Sequence, residues 1–555
     1  MAFAENDADV RKGIAGVTVD FSKFFRRIVP ILIGLLLLTR ALGMAQVPLM
    51  DSTEARYGEI ARKMAELNDW VTPWFDYGTP YWGKPPLAFW LTAISFKLFG
   101  VSEFAARLPH FLISLVIIAL IWWLSGHRDR DVAMPTVAVI CAASLYFVSS
   151  GAVMTDIELT LGTSLVMAGF WFAVEKSDAT SGHSRWVASL LFFGGLVVGL
   201  LAKGPVSLVF AGTPLFLWTA YNRRWLDVWH CLPWIRGALA TLAIALPWYW
   251  IAEQRTPGFL AYFLIGEHWH RFVTPGWQGD RYGHTHLFPI GTIWVAAFID
   301  TLPWSLLLPI AAWRWHNRKK KPSNEMISEV LSSRSDDRVW RGYLLIWAIT
   351  PLLLFTAARN ITFVYVLPGM PAAAMLAGNW LVQQRRLGNA VDQVLSVGIL
   401  ITLLITSLLM GRLAFHEGEP FHMERRSAKA LVMVYDRAKA NLDMPAAALP
   451  NEKSKQSNAP LIFVGVRPFS AQFYTRGGAI KVDDIDQYWL RVGADSAYVA
   501  IPTWGADAFV ASAAAHGAIS AEAGESKGIG SKPSHKLSRL YRNGGFDLFY
   551  VAPGL

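Results

Sequence analysis

Long apolar stretches alternate with short polar segments over roughly the first 410 residues of the chain. A helix of about 20 apolar residues matches the thickness of a bilayer. The pattern therefore predicts a polytopic, mainly α-helical membrane protein with about 11 transmembrane helices. The expected spans run near 28–48, 106–125, 134–152, 159–174, 185–202, 204–221, 232–251, 287–312, 342–357, 363–381 and 391–410.

The pattern changes from about residue 411, where the chain takes on the composition of a soluble protein. Strand-like runs at 461–465, 497–501 and 546–551 have helical patterns between them. This alternation predicts a small α/β domain over 411–555, outside the membrane. The remaining divisions are an N-terminal tail over 1–27, a transmembrane domain over 28–410, and linkers such as 444–459 and 521–534.

The first loop of the transmembrane domain, residues 49–105, has two further helical patterns. Glu54 to Leu67 is helical in period, and Asp51 is placed to cap that helix. Pro86 to Phe99 is apolar but too short to span a bilayer comfortably. We therefore expect a juxtamembrane helix there, lying on the outer leaflet.

The charge distribution sets the expected orientation. Only 17% of residues are charged, against about 25% in a soluble protein. The net charge of +10 could suggest nucleic-acid binding, but the basic residues lie in short loops between the apolar spans. That placement is typical of cytoplasmic loops and argues against a nucleic-acid partner. With an odd number of spans, it predicts a cytoplasmic N-terminus and a C-terminal domain on the outer side of the membrane. The basic groups are Lys23/Arg26/Arg27, Arg128/Arg130, Arg223/Arg224, Arg318–Lys321 and Arg385/Arg386.

Acidic residues at the outer ends of the spans are candidates for chemistry. A carboxylate at Glu54 can act as a general base, whereas Asp51 is more simply a helix-N-terminal acid. Asp156 is expected on the same membrane face as Glu54, and two converging acids would suit proton abstraction or a divalent cation. For Glu158, two residues further on, we expect a solvated side chain.

Several cations are expected at the same face. Lys84 precedes Pro85-Pro86, which fixes an extended backbone, and Lys203 begins a Lys-Gly-Pro sequence at a span boundary. Helical spacing puts His268 and Arg271 on one face, and Arg359 follows another span. One such cation can simply snorkel to the interface, but the group predicts a site for an anionic head group such as phosphate.

Other site classes find little support in the sequence. His268 and His270 point apart on a helix, so they are a weak metal signal. The two cysteines, Cys141 and Cys231, lie inside apolar spans, which makes a disulfide framework or a cysteine metal site implausible. We find no Walker loop and no credible dinucleotide-binding glycine motif. If the protein is an enzyme, its donor substrate is therefore expected to arrive already activated in the membrane.

Five sequence motifs together resemble the bacterial C-type (GT-C) glycosyltransferases. Within that group the chain is most similar to the aminoarabinose–lipid A transferases and to relatives of the protein O-mannosyltransferases. The similarity covers roughly residues 25–385, and the first-loop motif is fairly specific. The motifs are Thr53-Glu54-Ala55-Arg56-Tyr57-Gly58-Glu59-Ile60, Gly83-Lys84-Pro85-Pro86-Leu87, Ala106-Arg107-Leu108-Pro109, Lys203-Gly204-Pro205 and Tyr365-Val366-Leu367-Pro368.

The resemblance implies a glycosyltransferase of the bacterial inner membrane. It would move a sugar, such as an amino sugar, from undecaprenyl phosphate to lipid A or a similar envelope acceptor, with inversion. Glu54 is implied as the base, with Asp51 and Asp156 as alternatives. Lys84, Arg271 and His268 are implied at the carrier phosphate, and the residues implied to line the cavity are Arg56, Tyr57, Lys203 and Tyr365.

Two departures from the family pattern leave questions open. Thr53-Glu54 stands where these transferases have Asp-Glu, which leaves the identity of the base open. Trp82-Gly83-Lys84 stands where they have Phe-Glu-Lys, which removes an acid that could bind a metal. No metal ligands are therefore assigned, although a divalent ion stays possible. The alternative functions are transfer to a protein or another glycan, and a lipid flippase or transporter.

Overall fold

A computed structural model describes the residues from 21 to 553 with several gaps. Four segments singled out in the sequence fall outside it: residues 1–20 of the N-terminal tail, the basic residues 318–321, and the linker residues 444–458 and 521–534. The described ranges are 21–175, 182–274, 276–283, 287–309, 335–386, 390–415, 426–440, 459–492, 495–520, 535–542 and 545–553.

Helices make up most of the described chain before residue 416. They are α1 (Phe21–Gln46), α2 (Thr53–Leu67), α3 (Leu87–Phe99), α4 (Glu103–Arg128), α5 (Arg130–Ala142), α6 (Ser144–Ser149), α7 (Asp156–Glu175), α8 (Gly182–Lys203), α9 (Val206–Asn222), α10 (Trp225–Cys231), α11 (Trp234–Arg255), α12 (Phe259–Ala261), a π-helix (Tyr262–His270), α13 (Arg271–Val273), α14 (Thr292–Asp300), two 3₁₀ helices (Trp304–Leu307 and Phe363–Gly369), α15 (Ser335–Phe355), α16 (Met370–Arg386) and α17 (Val391–Phe415).

Seven of the described helices are long and apolar enough to cross a membrane: α1, α4, α7, α8, α11, α15 and α17. The mainly α-helical, multi-span class predicted from the sequence is confirmed. The other four expected spans form shorter or interrupted helices. The 204–221 span is the 17-residue α9, and the 134–152 span is divided between α5 and α6. The spans at 287–312 and 363–381 contain 3₁₀ segments beside Pro303 and Pro368, where proline removes a backbone donor.

The chain divides into two compact units. The first contains Met1–Met44, Pro80–Leu91 and Arg107–Met410, and the second contains Ala45–Thr79, Thr92–Ala106 and Gly411–Leu555. Most of the first loop thus belongs to the same unit as the C-terminal segment, whereas the sequence analysis assigned it to the transmembrane domain. The domain boundaries drawn from the sequence stay a prediction.

Helices α7 and α8 pack closely against each other in the first unit. Small residues bring the two backbones together: a Cβ atom built on Gly162 would lie 2.8 Å from the amide nitrogen of Gly199, and one on Gly169 would lie 2.5 Å from that of Phe192. Such close approach is how membrane helices gain packing energy without a hydrophobic driving force. Asp156 begins α7 and Lys203 ends α8, so this packing brings their two ends together.

The second unit contains a six-stranded sheet, whose strands are β3 (Leu461–Val464), β4 (Ile480–Val482), β5 (Ala497–Pro502), β6 (Ala518–Ser520), β7 (His535–Arg542) and β8 (Phe546–Pro553). The order of the strands across the sheet is β4-β3-β5-β8-β7-β6. The strands β3, β5 and β8 confirm the three predicted runs. The β3–β4, β3–β5 and β6–β7 pairs are parallel, and the β5–β8 and β7–β8 pairs are antiparallel. The accompanying helices are α18 (Lys429–Lys439), α19 (Phe469–Tyr474), α20 (Ile485–Val492), a 3₁₀ turn (Thr503–Gly505) and α21 (Ala506–Ala515).

Strand alternation buries both faces of this sheet. Leu461 and Phe463 pack into one apolar cluster with α18, while Ile462 and Val464 pack into another with α20 and α21. Side chains that alternate along a strand point to opposite faces, so β3 contributes to both clusters. The predicted α/β character of the C-terminal segment is confirmed as a sheet with helices on both sides.

The first loop contains the two predicted helices, α2 and α3, and a short hairpin of β1 (Trp74–Asp76) and β2 (Thr79–Pro80). Helix α2 ends where Asn68 takes a left-handed conformation with φ 52°, which asparagine tolerates well. The short length of α3 agrees with the expectation that it does not span a membrane. Its location on the outer leaflet stays a prediction.

Candidate functional site

A cavity of about 340 Å³ in the first unit gathers charged and apolar side chains. One part of its wall is polar: Lys84, Lys203, Glu267, His268, Arg271, Asn360 and Tyr365. The other part is apolar: Pro205, Val206, Val209, Phe210, Phe272, Leu354 and Phe355. A cavity of this kind suits a ligand with an anionic head and a hydrocarbon chain.

One carboxylate joins two of the cavity cations. Glu267 Oε2 accepts hydrogen bonds from Arg271 Nη1 at 2.8 Å and from Lys84 Nζ at 3.3 Å. Glu267 and Arg271 meet because residues four apart face each other along a helix. The Lys84 ammonium also has a local partner, because Nζ donates to the carbonyl of the preceding residue, Gly83, at 2.7 Å. The sequence analysis named Lys84 and Arg271 but missed Glu267, which the four-residue spacing to Arg271 could have indicated.

Glu267 and Arg271 favour each other's charged form despite their burial. Burial by itself raises the pKa of Glu267, but Lys84 and Arg271 hold it below its ordinary value. Burial likewise lowers the pKa of Arg271, yet the neighbouring Glu267 carboxylate raises it overall. The Arg271 Nη2 atom also lies 3.6 Å from Asp280 Oδ2. The Glu267 carboxylate therefore orients the Arg271 guanidinium before a ligand arrives.

Lys203 and Asp156 form an ion pair at the meeting ends of α8 and α7. The ammonium also lies 5.1 Å from the centre of the Tyr365 ring. The next residue, Gly204, has φ +77°, and a Cβ atom there would lie 2.5 Å from the Phe263 ring. Only glycine fits this turn without displacing that ring, so the Lys-Gly-Pro sequence has a structural basis.

His268 lines the cavity, with both ring nitrogens facing backbone carbonyls. Nδ1 lies 2.7 Å from the Phe263 oxygen and Nε2 lies 3.2 Å from the Lys203 oxygen. Burial lowers the pKa of His268 below its ordinary value, although both carbonyls oppose that shift. A neutral ring can donate to only one of these two carbonyls, so burial and hydrogen bonding act on the charge of His268 in opposite directions. The part that His268 plays in binding stays a prediction.

Arg359 does not line this cavity. Its side chain is exposed, and its backbone carbonyl accepts from Phe288 N. The neighbouring Asn360 lines the cavity instead, and its side-chain amide donates to the Arg271 carbonyl at 3.3 Å. Position at the end of a span predicted the location of this segment, but not which of two adjacent side chains faces the cavity.

The predicted capping role of Asp51 is wrong. Ser52 occupies the N-cap position of α2, without a side-chain cap bond. The Asp51 carboxylate instead accepts from the Ser470 amide at 3.0 Å and from the Ser470 hydroxyl. Burial raises the pKa of Asp51, although these bonds oppose the shift. Its partner lies more than 400 residues away, so no local pattern could have indicated it.

Three other predicted site residues, Glu54, Arg56 and Tyr57, lie on α2 in the second unit. Glu54 Oε2 accepts from the Met50 amide at 3.3 Å. The Arg56 guanidinium lies 5.3 Å from the Tyr57 ring centre and 5.9 Å from that of Phe469. The roles assigned to these three residues stay predictions.

Glu158 is buried, and the expectation of a solvated side chain is wrong. It is 0% exposed and lies 2.6 Å from Nδ1 of His110, which is also 0% exposed. Because the partner is supplied by α4, the sequence around Glu158 has no signal for this pair. Burial of an ionisable group is acceptable only with such a partner.

The described part of the chain contains no group of three or more histidine, cysteine, aspartate or glutamate side chains arranged to hold a metal ion. The acids at the cavity are each engaged with cations: Glu267 with Lys84 and Arg271, and Asp156 with Lys203. We therefore assign no residue as a metal ligand.

Comparison with known protein sequences supports a relationship to lipid-linked sugar transferases. Residues 32–263 match the family model described as dolichyl-phosphate-mannose-protein mannosyltransferase. The chain is 29% identical over 387 residues to an undecaprenyl phosphate-alpha-4-amino-4-deoxy-L-arabinose arabinosyl transferase of Pseudomonas aeruginosa (strain UCBPP-PA14), covering 67% of this chain and 63% of that relative. It is 30% identical over 343 residues to the transferase of the same name from Aeromonas hydrophila, covering 61% and 57%. The chain thus spans less than two thirds of the length of these relatives.

Comparison with solved structures establishes the fold. ArnT from Cupriavidus metallidurans bound to undecaprenyl phosphate matches with a TM-score of 0.68 and 19% identity, covering 94% of this chain and 97% of that one. The same protein in the apo state matches equally well. The chain has the fold of the C-type glycosyltransferases and is a multi-pass membrane protein, and the resemblance found in its sequence is confirmed.

Proposed function

We propose that this multi-pass membrane protein, which resembles C-type glycosyltransferases in sequence and fold, transfers a sugar from undecaprenyl phosphate to lipid A or a similar envelope acceptor. The names of the relatives point to 4-amino-4-deoxy-L-arabinose as the sugar. The observation that carries the proposal is the convergence of Lys84, Lys203 and Arg271 on one cavity that also has an apolar wall.

The charge of the cavity suits a phosphate group. Three cations and one carboxylate, Glu267, line it, and Asp156 and Asp280 lie beside Lys203 and Arg271. A phosphate that enters the cavity competes with these carboxylates for hydrogen bonds from the same cations. A polyprenyl phosphodiester has one negative charge, and the phosphate gains another when the sugar leaves. Donors that are already aligned stabilise such developing charge without reorganising at the moment of reaction. The apolar wall offers contacts for the polyprenyl chain.

The transfer requires one bond to form and one to break. The acceptor oxygen attacks the anomeric carbon as the bond from that carbon to the phosphate oxygen breaks, with inversion. The bonding electron pair stays on the phosphate, beside Lys84 and Arg271. If the acceptor is a hydroxyl, its proton passes to a base; a phosphate acceptor is already ionised at neutral pH.

Glu54 is our choice for that base. Two contacts favour it over the alternatives: the Asp51 carboxylate is bound to Ser470, and the Asp156 carboxylate is paired with Lys203. Arg56, Tyr57 and Tyr365 complete the proposed substrate-binding set. The assignment of Glu54 depends on the first-loop motif, and mutation is its test.

We place the protein in the bacterial inner membrane, with the cavity at the periplasmic face and the C-terminal domain in the periplasm. The support is the positive-inside pattern: the basic groups lie between the apolar spans, away from the loops that carry Lys84 and Arg271. The same proposal keeps 1–27 as a cytoplasmic tail, 28–410 as the transmembrane domain and 411–555 as the periplasmic domain.

Mass spectrometry of lipid A tests the proposal directly. Lipid A from cells with the protein should have an added sugar mass that is missing from cells without it. Lys84→Ala and Glu54→Gln should each abolish most of the increment, whereas Lys481→Ala, an exposed lysine paired with Asp483, should retain it. An unchanged lipid A would redirect the acceptor to a protein or another glycan.

An assay in detergent separates transfer from lipid flipping. Purified protein should form product from undecaprenyl phosphate-linked aminoarabinose and lipid A without a sealed bilayer. A flippase would form no product in this assay, because it moves a lipid between two leaflets without transferring the sugar. Absence of product together with transport in vesicles would replace our proposal.

A further inference from the structure

Residues just before Glu54 are held by the C-terminal segment of the second unit. The Leu49 amide donates to the Tyr474 hydroxyl at 2.8 Å. The Asp51 amide donates to the Arg426 carbonyl at 2.7 Å. The Asp51 carboxylate accepts from both the amide and the hydroxyl of Ser470. Leu49 and Asp51, the residues on either side of Met50, are thus hydrogen-bonded to a chain segment more than 370 positions away.

The groups that hold this segment are themselves held. Ser470 is 0% exposed, and its hydroxyl oxygen accepts from the Ala428 amide at 2.8 Å while its hydrogen goes to Asp51. The Tyr474 hydroxyl donates to Glu103 Oε1 at 3.1 Å, and Glu103 is paired with Lys429. Buried groups with all partners in place hold one geometry, because each loss leaves another group unsatisfied.

The path from this anchor to Glu54 is short. Met50 lies between the two anchored residues, and its amide donates to Glu54 Oε2 at 3.3 Å. The orientation of that amide is set by the peptide units on both sides. A displacement of the anchor would therefore move the donor that faces the Glu54 carboxylate.

We infer that the C-terminal domain positions the Glu54 carboxylate through the Asp51–Ser470 bond, with Asp51 as a positioning residue rather than an alternative base. The inference rests on the proposed function, because it assumes that Glu54 takes part in transfer. It gives the C-terminal domain a task in the reaction: holding the first loop in one conformation. A misplacement of about 1 Å in such a loop can cost about 100-fold in rate.

Ser470→Ala in the full-length protein, reconstituted in nanodiscs, tests the inference in two ways. Amide hydrogen exchange should become faster in peptides covering residues 49–56. With undecaprenyl phosphate-linked aminoarabinose and lipid A as substrates, kcat should fall about 10- to 100-fold while KM for the donor changes less than about threefold. Tyr474→Phe, which removes only the hydroxyl that holds Leu49, should give a smaller shift in the same direction.

Ser512→Ala is the matched control, because it removes a hydroxyl bonded to Trp489 in the same domain without touching the first loop. It should leave both measurements unchanged. Faster exchange in 49–56 without loss of kcat would overturn the inference, as would unchanged exchange in both Ser470→Ala and Tyr474→Phe. The exchange measurement needs no activity, so a failure of the proposed transferase function is recognised separately, by the absence of product in the unaltered protein.

Discussion

Two groups of buried charge have the same composition and opposite surroundings. The α2 cluster is Glu59, Arg62 and Lys63 in the second unit, and the cavity cluster is Glu267, Lys84 and Arg271 in the first. Each has two cations and one carboxylate. In the α2 cluster, Arg62 binds both Glu59 oxygens, at 2.7 and 2.9 Å, and Lys63 donates to the Phe75 carbonyl at 2.9 Å. In the cavity cluster, one Glu267 oxygen takes both cations.

The difference teaches how to separate structural from functional charge. Glu59 and Lys63 are 0% exposed, and the Arg62 guanidinium is fully engaged by Glu59, Glu66 and Tyr77. The cavity cluster is more open: the Lys84 and Arg271 side chains are 16% and 25% exposed, and the described part of the chain supplies no hydrogen-bond partner for the buried Arg271 Nε. The cavity cluster therefore keeps side-chain surface accessible to a ligand, which the α2 cluster lacks.

The largest effect should come from breaking the α2 cluster. Glu59→Ala leaves Arg62 and Lys63 buried without their shared carboxylate, and breaking a buried ion pair costs about 3–5 kcal/mol. We expect a large drop in the thermal unfolding temperature of the purified protein. Glu66→Ala is the control, since Glu66 binds the same Arg62 but is 46% exposed. Equal stability of the two variants would show that the α2 cluster is not structural.

Breaking the cavity cluster should act on transfer instead. Arg271→Ala should lower kcat/KM for the lipid-linked donor about 100-fold, close to 3 kcal/mol. Its unfolding temperature should fall less than that of Glu59→Ala, because Lys84 still pairs with Glu267. Arg271→Lys should recover only part of this, because a lysine lacks the planar fork that matches phosphate. Arg281→Ala, an exposed arginine over the Trp82 ring, is the control. If Arg271→Ala lowered the unfolding temperature without lowering kcat/KM, the cavity cluster would be structural, like the α2 cluster.

Glu267→Gln should sharpen the comparison in the opposite direction. Glu267 competes with an incoming phosphate for Lys84 and Arg271, and its removal also removes like-charge repulsion. We expect undecaprenyl phosphate to bind about fivefold more tightly, close to 1 kcal/mol, in a titration of the purified protein. Weaker binding would instead assign Glu267 the task of aligning the two cations.

The smallest effect should come from His268→Gln. Because burial lowers the pKa of His268, the folded protein binds the ring proton less readily than the unfolded chain does. Its contribution to stability is therefore complete above the ordinary pKa of about 6.5 and is lost as the pH falls below it. Between pH 7 and 8.5 the affinity of the unaltered protein for undecaprenyl phosphate should not depend on pH. The affinity of His268→Gln should lie within about twofold of it. A loss of binding on deprotonation would make His268 a cation of the site.

Much of the cavity could be predicted because its residues lie in loops or span ends assigned to one membrane face. Lys84, Lys203, His268, Arg271 and Tyr365 line one cavity, as expected for groups at one membrane face. Arg359 and Asn360 show the limit of that reasoning, since span ends locate a backbone but not the side chain that points inward. Long-range partners were invisible for a similar reason: Ser470 meets Asp51, and His110 meets Glu158, only when the chain folds.

By itself, the sequence determined the membrane class, the helix-rich fold and the group of proteins that its motifs resemble. These depend on apolar length, on loop charge and on short motifs, all of which are local. The tertiary structure decided which spans are continuous, which carboxylate Lys84 and Arg271 share, and what Asp51 binds. Those outcomes depend on side-chain direction and on contacts between distant segments, because a charge buried in a membrane protein takes whichever partner the packing brings to it.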